Sequence, residues 1–338
     1  MGASETPKRI LITSWMIPPD GPVVQGLREA GYEVVVNHWH PGRNEEELRG
    51  LVPGVAAVVA STDPFTRRVL AAADSLRVIS RTGVGFDSID LAAATERGIV
   101  VATTPGTVDS AVADHAFALM LAIARRVVQN DAEVRGSSWK RFIGDDVAGA
   151  TLGIVGLGNI GKQVARRALG FDMKLLAYDV QRDEEFARRH GIAYVELDYL
   201  LAHSDYVTLH APLNAQTRNL IDERALRQMK PSAYLINTSR GGLIDETALA
   251  RALREGWIAG AALDVFQNEP PWGSEVLSAP NVIFTPHVAG NTHGSQQMTM
   301  RMAVENVTRV LQGRWPVFAV NPAAAEAQGL RKESQSNL

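Results

Sequence analysis

Five polar residues suited to acid, base or anion chemistry each come soon after an apolar run of the sequence. They are His210, Arg240, Asp264, Glu269 and His287. Short apolar runs of this kind predict buried strands, and the carboxyl ends of parallel strands lie along one edge of their sheet. We therefore expect these side chains, although distant in sequence, to meet in one crevice at that edge.

An arginine, a histidine and a carboxylate in one crevice could act on a small organic acid. The guanidinium of Arg240 is a planar, permanent cation that can bind a carboxylate through two hydrogen bonds and polarise an adjacent carbonyl. The imidazole of His287 can exchange a proton near neutral pH, and the carboxylate of Glu269 would stabilise its protonated form. If a bound cofactor accepts the hydride, His287 could take the hydroxyl proton of an alcohol that is being oxidised.

A glycine-rich stretch predicts where such a cofactor binds. Gly156, Gly158 and Gly161 lie between an apolar run, Leu152 to Val155, and an amphipathic segment, so the stretch predicts a strand, a tight turn and a helix. The first glycine permits the turn, the second lets the backbone approach a pyrophosphate, and the third lets the helix pack closely. The free amide groups at the helix start would bind the phosphates.

Asp179 ends the next apolar run, at the position where dinucleotide-binding folds place an acidic residue. A carboxylate there would accept hydrogen bonds from the ribose hydroxyls of NAD and repel the 2′-phosphate of NADP. Arg182 follows shortly after and could bind that phosphate. NAD is therefore the predicted cofactor, and NADP is the less favoured alternative.

Apolar runs and helical segments alternate along the whole chain, which predicts an α/β fold with helices on both faces of parallel sheets. In the N-terminal part, two loops that follow predicted strands, Ser61–Pro64 and Arg81–Asp87, are candidate substrate loops, because ligands of open α/β sheets bind at strand ends. The alternative is that they are ordinary connections. Their candidate substrate residues are Ser61, Gly83, Val84 and Gly85.

Two further predictions concern a long apolar helix and the C-terminal tail. Val108–Asn130 is apolar nearly all round, which predicts one buried helix that connects two domains and contributes subunit contacts. Its polar residues Asp114 and His115 are expected to be structural, because an apolar helix usually satisfies its few polar groups internally. The Ala-, Gln- and Ser-rich tail from Pro322 onward predicts little order.

Composition excludes several classes of protein. A chain of 338 residues is long enough for two domains. A net charge of -3 without a long basic run argues against a nucleic-acid partner, and the lack of cysteine excludes disulfides and thiolate chemistry. We expect no membrane association and a cytoplasmic location, because no apolar stretch resembles a signal peptide or membrane span. We also expect no metal site, since His38 and His40 have no acidic or thiolate ligand beside them.

Four ordered motifs resemble the signatures of the D-isomer-specific 2-hydroxyacid dehydrogenases, the family of D-3-phosphoglycerate dehydrogenase. They are Gly156–Gly161, Asn237–Gly242, Ala262–Phe266 with Asn268–Pro270, and Thr285–Gly290. The resemblance extends from about Arg9 to Asn321. It implies an NAD-dependent oxidoreductase that interconverts a small D-2-hydroxy acid and its 2-oxo acid by hydride transfer, most like D-3-phosphoglycerate dehydrogenase.

The resemblance also implies a domain order. It implies two doubly wound parallel-sheet domains, with a Rossmann NAD-binding domain over residues 105–293 inserted into a flavodoxin-like substrate domain of residues 1–104 and 294–338. Members of the family are commonly dimers about the cofactor domain, so a homodimer is expected.

Residue roles follow from the resemblance as well. Arg240 is expected to bind and polarise the substrate, Glu269 to support the histidine, and His287 to be the acid and base. Substrate contacts are expected from Ser61, Gly83, Val84, Gly85, Arg240 and His287. Cofactor contacts are expected from Val84, Gly156, Gly158, Asn159, Ile160, Gly161, Asp179, His210, Ala211, Pro212, Thr238, Ser239, Arg240, Asp264, His287 and Gly290.

The sequence does not decide whether the substrate is a phosphorylated or an unphosphorylated 2-hydroxy acid. A glyoxylate or hydroxypyruvate reductase is the alternative within the family. A substrate phosphate would need basic side chains in the N-terminal loops, where Arg67, Arg68 and Arg81 are available but the charge of Asp63 is unfavourable.

Two alternatives lie outside this substrate class. A non-catalytic dinucleotide sensor that binds a protein partner, as related corepressors do, would have no need of the complete set of Arg240, Glu269 and His287. Formate dehydrogenases share the scaffold, but the resemblance places a glutamine in them where this chain has Glu269.

Overall fold

The computed structural model describes residues 8–40 and 42–332, which form two compact units. One unit comprises the described residues of Met1–Val108 and Thr292–Leu338, and the other is Asp109–Asn291. Each unit is built on a parallel sheet flanked by helices. This confirms the α/β class predicted from the alternation of apolar and helical segments.

The first segment of the chain forms a five-stranded parallel sheet in the order β2-β1-β3-β4-β5, the flavodoxin-like arrangement. Every residue of its central strand β3 is buried, as expected for a parallel strand covered on both faces. The strands are β1 (Arg9–Ile12), β2 (Glu33–Val36), β3 (Val55–Ala60), β4 (Val78–Arg81) and β5 (Val100–Ala102). The helices are α1 (Pro22–Glu29), α2 (Glu45–Leu51), α3 (Arg67–Ala72) and α4 (Leu91–Glu96).

The second unit has a seven-stranded parallel sheet in the order β12-β11-β10-β9-β6-β7-β8, which is the Rossmann order with one added edge strand. Its strands are β6 (Thr151–Val155), β7 (Lys174–Tyr178), β8 (Ala193–Tyr194), β9 (Tyr206–Leu209), β10 (Tyr234–Asn237), β11 (Gly260–Leu263) and β12 (Val282–Phe284). Its helices are α5 (Asp109–Ala124), α6 (Val127–Arg135), α7 (Asn159–Leu169), α8 (Glu184–His190), α9 (Leu197–His203), α10 (Glu223–Gln228) and α11 (Glu246–Glu255), with short 3₁₀ turns at Gly241–Leu243 and Glu275–Ser278.

The predicted single helix over Val108–Asn130 is wrong, because the structure divides it into α5 and α6. Arg126 adopts a left-handed conformation between them, with φ of 53°. The carbonyl of Ala124, which a continuous helix would bond within itself, accepts a hydrogen bond from the N–H of Asp145 at 2.9 Å. A competing partner from distant sequence therefore ends α5.

The chain closes with α12 (His293–Leu311) and α13 (Pro322–Ala327) in the first unit. The prediction of little order from Pro322 onward is wrong for α13, since Ala324 and Ala325 are buried in the core of that unit. Asn321 fixes the start of this segment, because its side chain accepts from the N–H of Val101 at 2.7 Å. Residues 333–338 of the predicted tail lie outside the described residues.

Within the part of the chain that the structure describes, no helix combines the length and the apolar character needed to cross a lipid bilayer.

Candidate active site

The glycine turn of the second unit leaves space for a pyrophosphate. Gly156, with φ of 94°, has no room for a side chain, because a Cβ would lie 2.7 Å from the backbone nitrogen of Ala211. A Cβ on Gly161 would lie 2.1 Å from the carbonyl oxygen of Gly156, whereas one on Gly158 would meet no atom within 4 Å. The outer glycines therefore close the turn, and the middle one, at the start of α7, faces open space. This arrangement fits a dinucleotide.

Asp179 lies at the end of β7, beside the glycine turn. One carboxylate oxygen accepts from the N–H of Leu157 at 2.7 Å, and the other accepts from the N–H of Gln181 at 2.8 Å. The carboxylate thus holds the turn and stays partly exposed. Arg182, the alternative contact for a 2′-phosphate, lies over the ring of Tyr194 and 3.5 Å from a carboxylate oxygen of Glu196.

Two buried polar atoms near the ends of β9 and β10 have no partner in the described protein. They are Nδ1 of His210 and Oγ1 of Thr238. Orphaned buried polar groups are rare unless a ligand or water satisfies them, and both belong to residues predicted to contact the cofactor. The other ring nitrogen of His210 bonds Oγ1 of Thr208 at 2.9 Å. Burial lowers the pKa of His210 to about 3, so its imidazole is neutral.

Arg240 follows β10 in a turn that Asn237 closes. The buried side-chain amide of Asn237 donates to the carbonyl of Arg240 at 2.9 Å and accepts from the N–H of Ser239 at 3.0 Å. The hydroxyl of Ser239 donates to the carbonyl of Ala211 at 2.7 Å, which ties this turn to the one after β9. The half-buried guanidinium of Arg240 donates to the carbonyl of Ser239 at 2.7 Å.

His287 and Glu269 form a direct pair. Nδ1 of His287 lies 2.7 Å from Oε2 of Glu269, and the second oxygen of that carboxylate accepts from the N–H of Phe266 at 3.2 Å. The two side chains are 41% and 34% exposed, so a small molecule can reach them. His287 itself has φ of 53°, a left-handed conformation that non-glycine residues rarely adopt and that is frequent at functional sites.

The buried carboxylate of Asp264 holds the turn on which His287 lies. It accepts from the hydroxyl of Thr285 and from the N–H groups of Val288 at 2.9 Å and Ala289 at 2.8 Å. Burial alone would raise the pKa of Asp264, but these hydrogen bonds and one with His115 outweigh it and lower the pKa below its ordinary value. Asp264 therefore stays ionised and supports the turn, while its predicted cofactor contact stays a prediction.

His115 is a residue whose surroundings the sequence did not reveal. Its Nε2 lies 3.0 Å from Oγ1 of Thr285 and 3.6 Å from Oδ1 of Asp264. The sequence prediction of a satisfied, structural histidine agrees with these contacts. Only its place beside the Asp264 carboxylate is new, and no local motif could have indicated it.

The candidate substrate loops lie in the first unit. Ser61 is buried, and its N–H donates to the side chains of Asp63 and Thr13, both at 3.1 Å. The carbonyl of Gly85 accepts from Nε of Arg81 at 2.9 Å. Val84 is 38% exposed at the tip of this second loop, and the carbonyl of Gly83 accepts from Thr104 at 3.1 Å.

Sequence reasoning missed the partner of Asp63. The carboxylate of Asp63 pairs with Arg43 at 2.9 Å, and both side chains are fully buried. The negative charge that was expected to disfavour an anionic substrate is thus neutralised. Arg43 lies 20 residues earlier, after a different strand, so nothing in the local pattern could have indicated the pair.

The remaining candidates lie around the same edge of the seven-stranded sheet. Asn159 and Ile160 begin α7, and Ala211 and Pro212 follow β9. Gly290 follows the His287 turn.

Comparisons with known proteins agree with this geometry. A family model described as "D-isomer specific 2-hydroxyacid dehydrogenase, NAD binding domain" matches residues 117–289. A glyoxylate reductase of Korarchaeum cryptofilum is 47% identical over 273 residues, which are 79% of this chain and 82% of that protein.

Two solved structures have closely similar folds. The structure of a glyoxylate reductase from Paecilomyes thermophila has a TM-score of 0.83 at 33% identity, covering 94% of this chain and 99% of that one. An NADPH-dependent glyoxylate/hydroxypyruvate reductase from Sinorhizobium meliloti, solved with NADP and malonate, has a TM-score of 0.83 at 29% identity, covering 98% and 100%. The glycine turn, the paired His287 and Glu269, the family match and these relatives agree: the chain belongs to the D-isomer-specific 2-hydroxyacid dehydrogenase family and is an oxidoreductase with an NAD(P)-binding domain.

Proposed function

We propose that this oxidoreductase reduces glyoxylate to glycolate or hydroxypyruvate to D-glycerate. The observation that carries the proposal is the 2.7 Å contact between His287 and Glu269, which provides a proton donor at the same edge of the sheet as the glycine turn. The names of the similar proteins favour these substrates over phosphohydroxypyruvate. The phosphoglycerate dehydrogenase-like substrate therefore becomes the second candidate.

The proposed division of labour uses three side chains. Arg240 binds the substrate carboxylate and polarises the neighbouring carbonyl. A bound nicotinamide would supply hydride to the carbonyl carbon. The protonated imidazole of His287 gives its proton to the carbonyl oxygen, so the product carries one new C–H and one new O–H bond. Glu269 holds the imidazole through Nδ1, which leaves Nε2 as the atom that we assign to proton transfer.

The first unit supports an unphosphorylated substrate. Arg67 lies 2.6 Å from Glu96, and Arg68 lies 3.2 Å from Glu45, so both cations are already paired with carboxylates. Arg81 is buried and donates to backbone carbonyls. The three arginines that were candidates for binding a substrate phosphate thus already have carboxylate or carbonyl partners. We propose that this unit, predicted as residues 1–104 and 294–338, is the substrate domain and that residues 105–293 are the cofactor domain.

We propose NAD as the preferred nicotinamide cofactor. The partly exposed carboxylate of Asp179 supports this, because it would repel a 2′-phosphate and accept hydrogen bonds from ribose hydroxyls. The Sinorhizobium meliloti relative is NADPH-dependent, so the family match alone does not decide the cofactor.

The experiment that tests the function is a steady-state assay with a substrate panel. Glyoxylate, hydroxypyruvate and phosphohydroxypyruvate are each supplied with NADH and with NADPH. We expect the two unphosphorylated acids to give the higher kcat/KM. Higher kcat/KM with phosphohydroxypyruvate would favour the second candidate. Binding of NADH without turnover of any 2-oxo acid would favour the non-catalytic sensor.

We also propose a homodimer formed through α6 and the segment after it. α6 has no buried residue, and exposed apolar side chains continue along Trp139 and Ile143, which are 76% and 93% exposed. Apolar surface of this kind marks an interaction site. Light scattering should give twice the mass of one chain, and Ile143→Glu should shift the protein towards the monomer. A wild-type monomer would contradict the proposal.

We propose that the protein is located in the cytoplasm, because the pyridine nucleotides that it needs are retained within the cell. Fractionation beside a cytoplasmic marker enzyme would test this.

A further inference from the structure

One buried carboxylate outside the predicted site holds the segment that carries Glu269. Glu246 lies in the first turn of α11 and is 8% exposed. Its Oε1 accepts from the N–H of Gln267 at 2.5 Å, and its Oε2 accepts from the hydroxyl of Ser274 at 2.5 Å. Gln267 and Ser274 are the two ends of a short segment that contains Glu269. A single side chain therefore closes this segment at both ends.

Further contacts join the same segment to the turn of Arg240. The side-chain amide of Gln267 donates to the carbonyl of Ile244 at 2.7 Å, just before α11. A Cβ on Gly241, the residue after Arg240, would lie 1.8 Å from the carbonyl carbon of Phe266. The two backbones are thus in direct contact, and only glycine permits this. These contacts join two segments tightly: the one from Arg240 to the start of α11 and the one that follows Phe266.

A buried carboxylate is costly unless its oxygens accept hydrogen bonds. Both oxygens of Glu246 do so, and hydrogen bonds to an ionised acceptor are the strong ones. We propose that Glu246 is a positioning residue: it keeps Glu269 within hydrogen-bonding distance of His287 and in register with Arg240. This inference rests on the acid and base roles given to Glu269 and His287 in the proposed function.

Glu246→Ala tests the inference because it removes both acceptors. A displacement of a catalytic group by up to about 1 Å can lower the rate by about a hundredfold. We therefore expect kcat for hydroxypyruvate reduction to fall by about tenfold or more in Glu246→Ala. The Kd of NADH should stay within about twofold, since the glycine turn is untouched. Glu246→Gln should recover most of the loss, because its amide can accept from Gln267 and donate to the hydroxyl of Ser274.

Asp245→Ala is the matched control. Asp245 is the neighbouring residue and caps α11 by accepting from the N–H of Ala248 at 3.1 Å. Its loss should lower the thermal stability of the protein, as loss of a cap does, but leave kcat near the wild-type value. A loss of kcat in Glu246→Ala no larger than in Asp245→Ala would overturn the inference. If Glu246→Ala does not fold, Ser274→Ala removes one of the two hydrogen bonds and should show a smaller loss of the same kind.

A double-mutant cycle separates positioning from general stability. If Glu246 acts through Glu269, adding Glu246→Ala to Glu269→Gln should cost much less than it costs in the wild-type enzyme. Losses that multiply would show that Glu246 acts independently and would overturn the inference. Wild-type kcat in Glu269→Gln alone would instead overturn the proposed role of Glu269. The failure of the inference and the failure of the proposed function are thus distinguishable.

Discussion

Nδ1 of His287 lies 2.7 Å from Oε2 of Glu269, although 18 residues separate them in sequence. Two features hold the contact in place. Phe266 donates its N–H to the other oxygen of Glu269, and Asp264 accepts the N–H groups of Val288 and Ala289 that follow the histidine. Each member of the pair is therefore oriented by its own backbone surroundings.

The first prediction concerns the proton donor. His287→Ala should lower kcat for 2-oxo acid reduction by about a hundredfold to ten-thousandfold, the range typical of general acid catalysis. NADH binding, measured by fluorescence titration, should change by less than about threefold, because the glycine turn and Asp179 belong to other elements. A large loss of NADH affinity would show that His287 mainly binds the cofactor. Glu269→Gln should give an intermediate kcat.

The second prediction concerns cofactor preference. Asp179→Asn keeps an acceptor for the N–H of Leu157 but removes the negative charge. The ratio of kcat/KM with NADH to that with NADPH should fall by about tenfold, or about 1.4 kcal/mol, because the variant no longer repels the 2′-phosphate and solvent screens this repulsion at the partly exposed Asp179. Asp179→Ala should also lower this ratio. It should in addition weaken NADH binding, because the glycine turn loses its hydrogen bond from the N–H of Leu157 to Asp179. An unchanged ratio in both variants would mean that another group recognises the ribose.

The third prediction concerns the buried pair under the Ser61 loop. Asp63→Asn leaves the buried guanidinium of Arg43 with only the partly exposed carboxylate of Glu47, at 3.3 Å, as a countercharge, which should lower the free energy of unfolding by up to about 3 kcal/mol. The double variant Arg43→Met with Asp63→Asn should recover part of this loss, because no charge is then left buried. Urea unfolding followed by circular dichroism measures both. Equal stability of Asp63→Asn and the wild type would contradict the assigned pairing.

The fourth prediction concerns pH and the cofactor-free protein. The folded protein holds His210 at a pKa of about 3, below the ordinary value of 6.5. Between those values the unfolded chain binds a proton that the folded one excludes, so stability should fall as the pH falls below about 6.5. Nδ1 is buried, although the residue as a whole is partly exposed, so screening reduces the effect. Between pH 7.5 and 5, the wild type should lose about 1 kcal/mol more than His210→Gln.

That comparison can be made by urea unfolding of both proteins at the two pH values. Other titrating groups are common to both and cancel in the difference. Parallel losses would show that the imidazole of His210 is hydrated in the folded state and titrates normally.

Much of the fold could be predicted from local sequence patterns. The βα alternation and the glycine turn are short-range features, because strand burial and turn geometry depend on neighbouring residues. They predicted two parallel α/β sheets, and the structure and the family match confirm that class. The four motifs also led to the correct family. The same local reasoning failed at the end of α5, where the N–H of Asp145 takes the carbonyl of Ala124, and at α13, which the buried Ala324 and Ala325 fix in the core.

The sequence by itself determined the α/β class, the family, and the residue types able to bind a carboxylate and move a proton. The pairing of His287 with Glu269, which the family resemblance implied, appears in the structure as a direct contact. Tertiary structure alone paired Asp63 with Arg43 and placed Glu246 across the segment that carries Glu269. The physical reason is that periodicity and turn chemistry act over a few residues, whereas the partner of a buried charge is set by the packing of whole strands and helices.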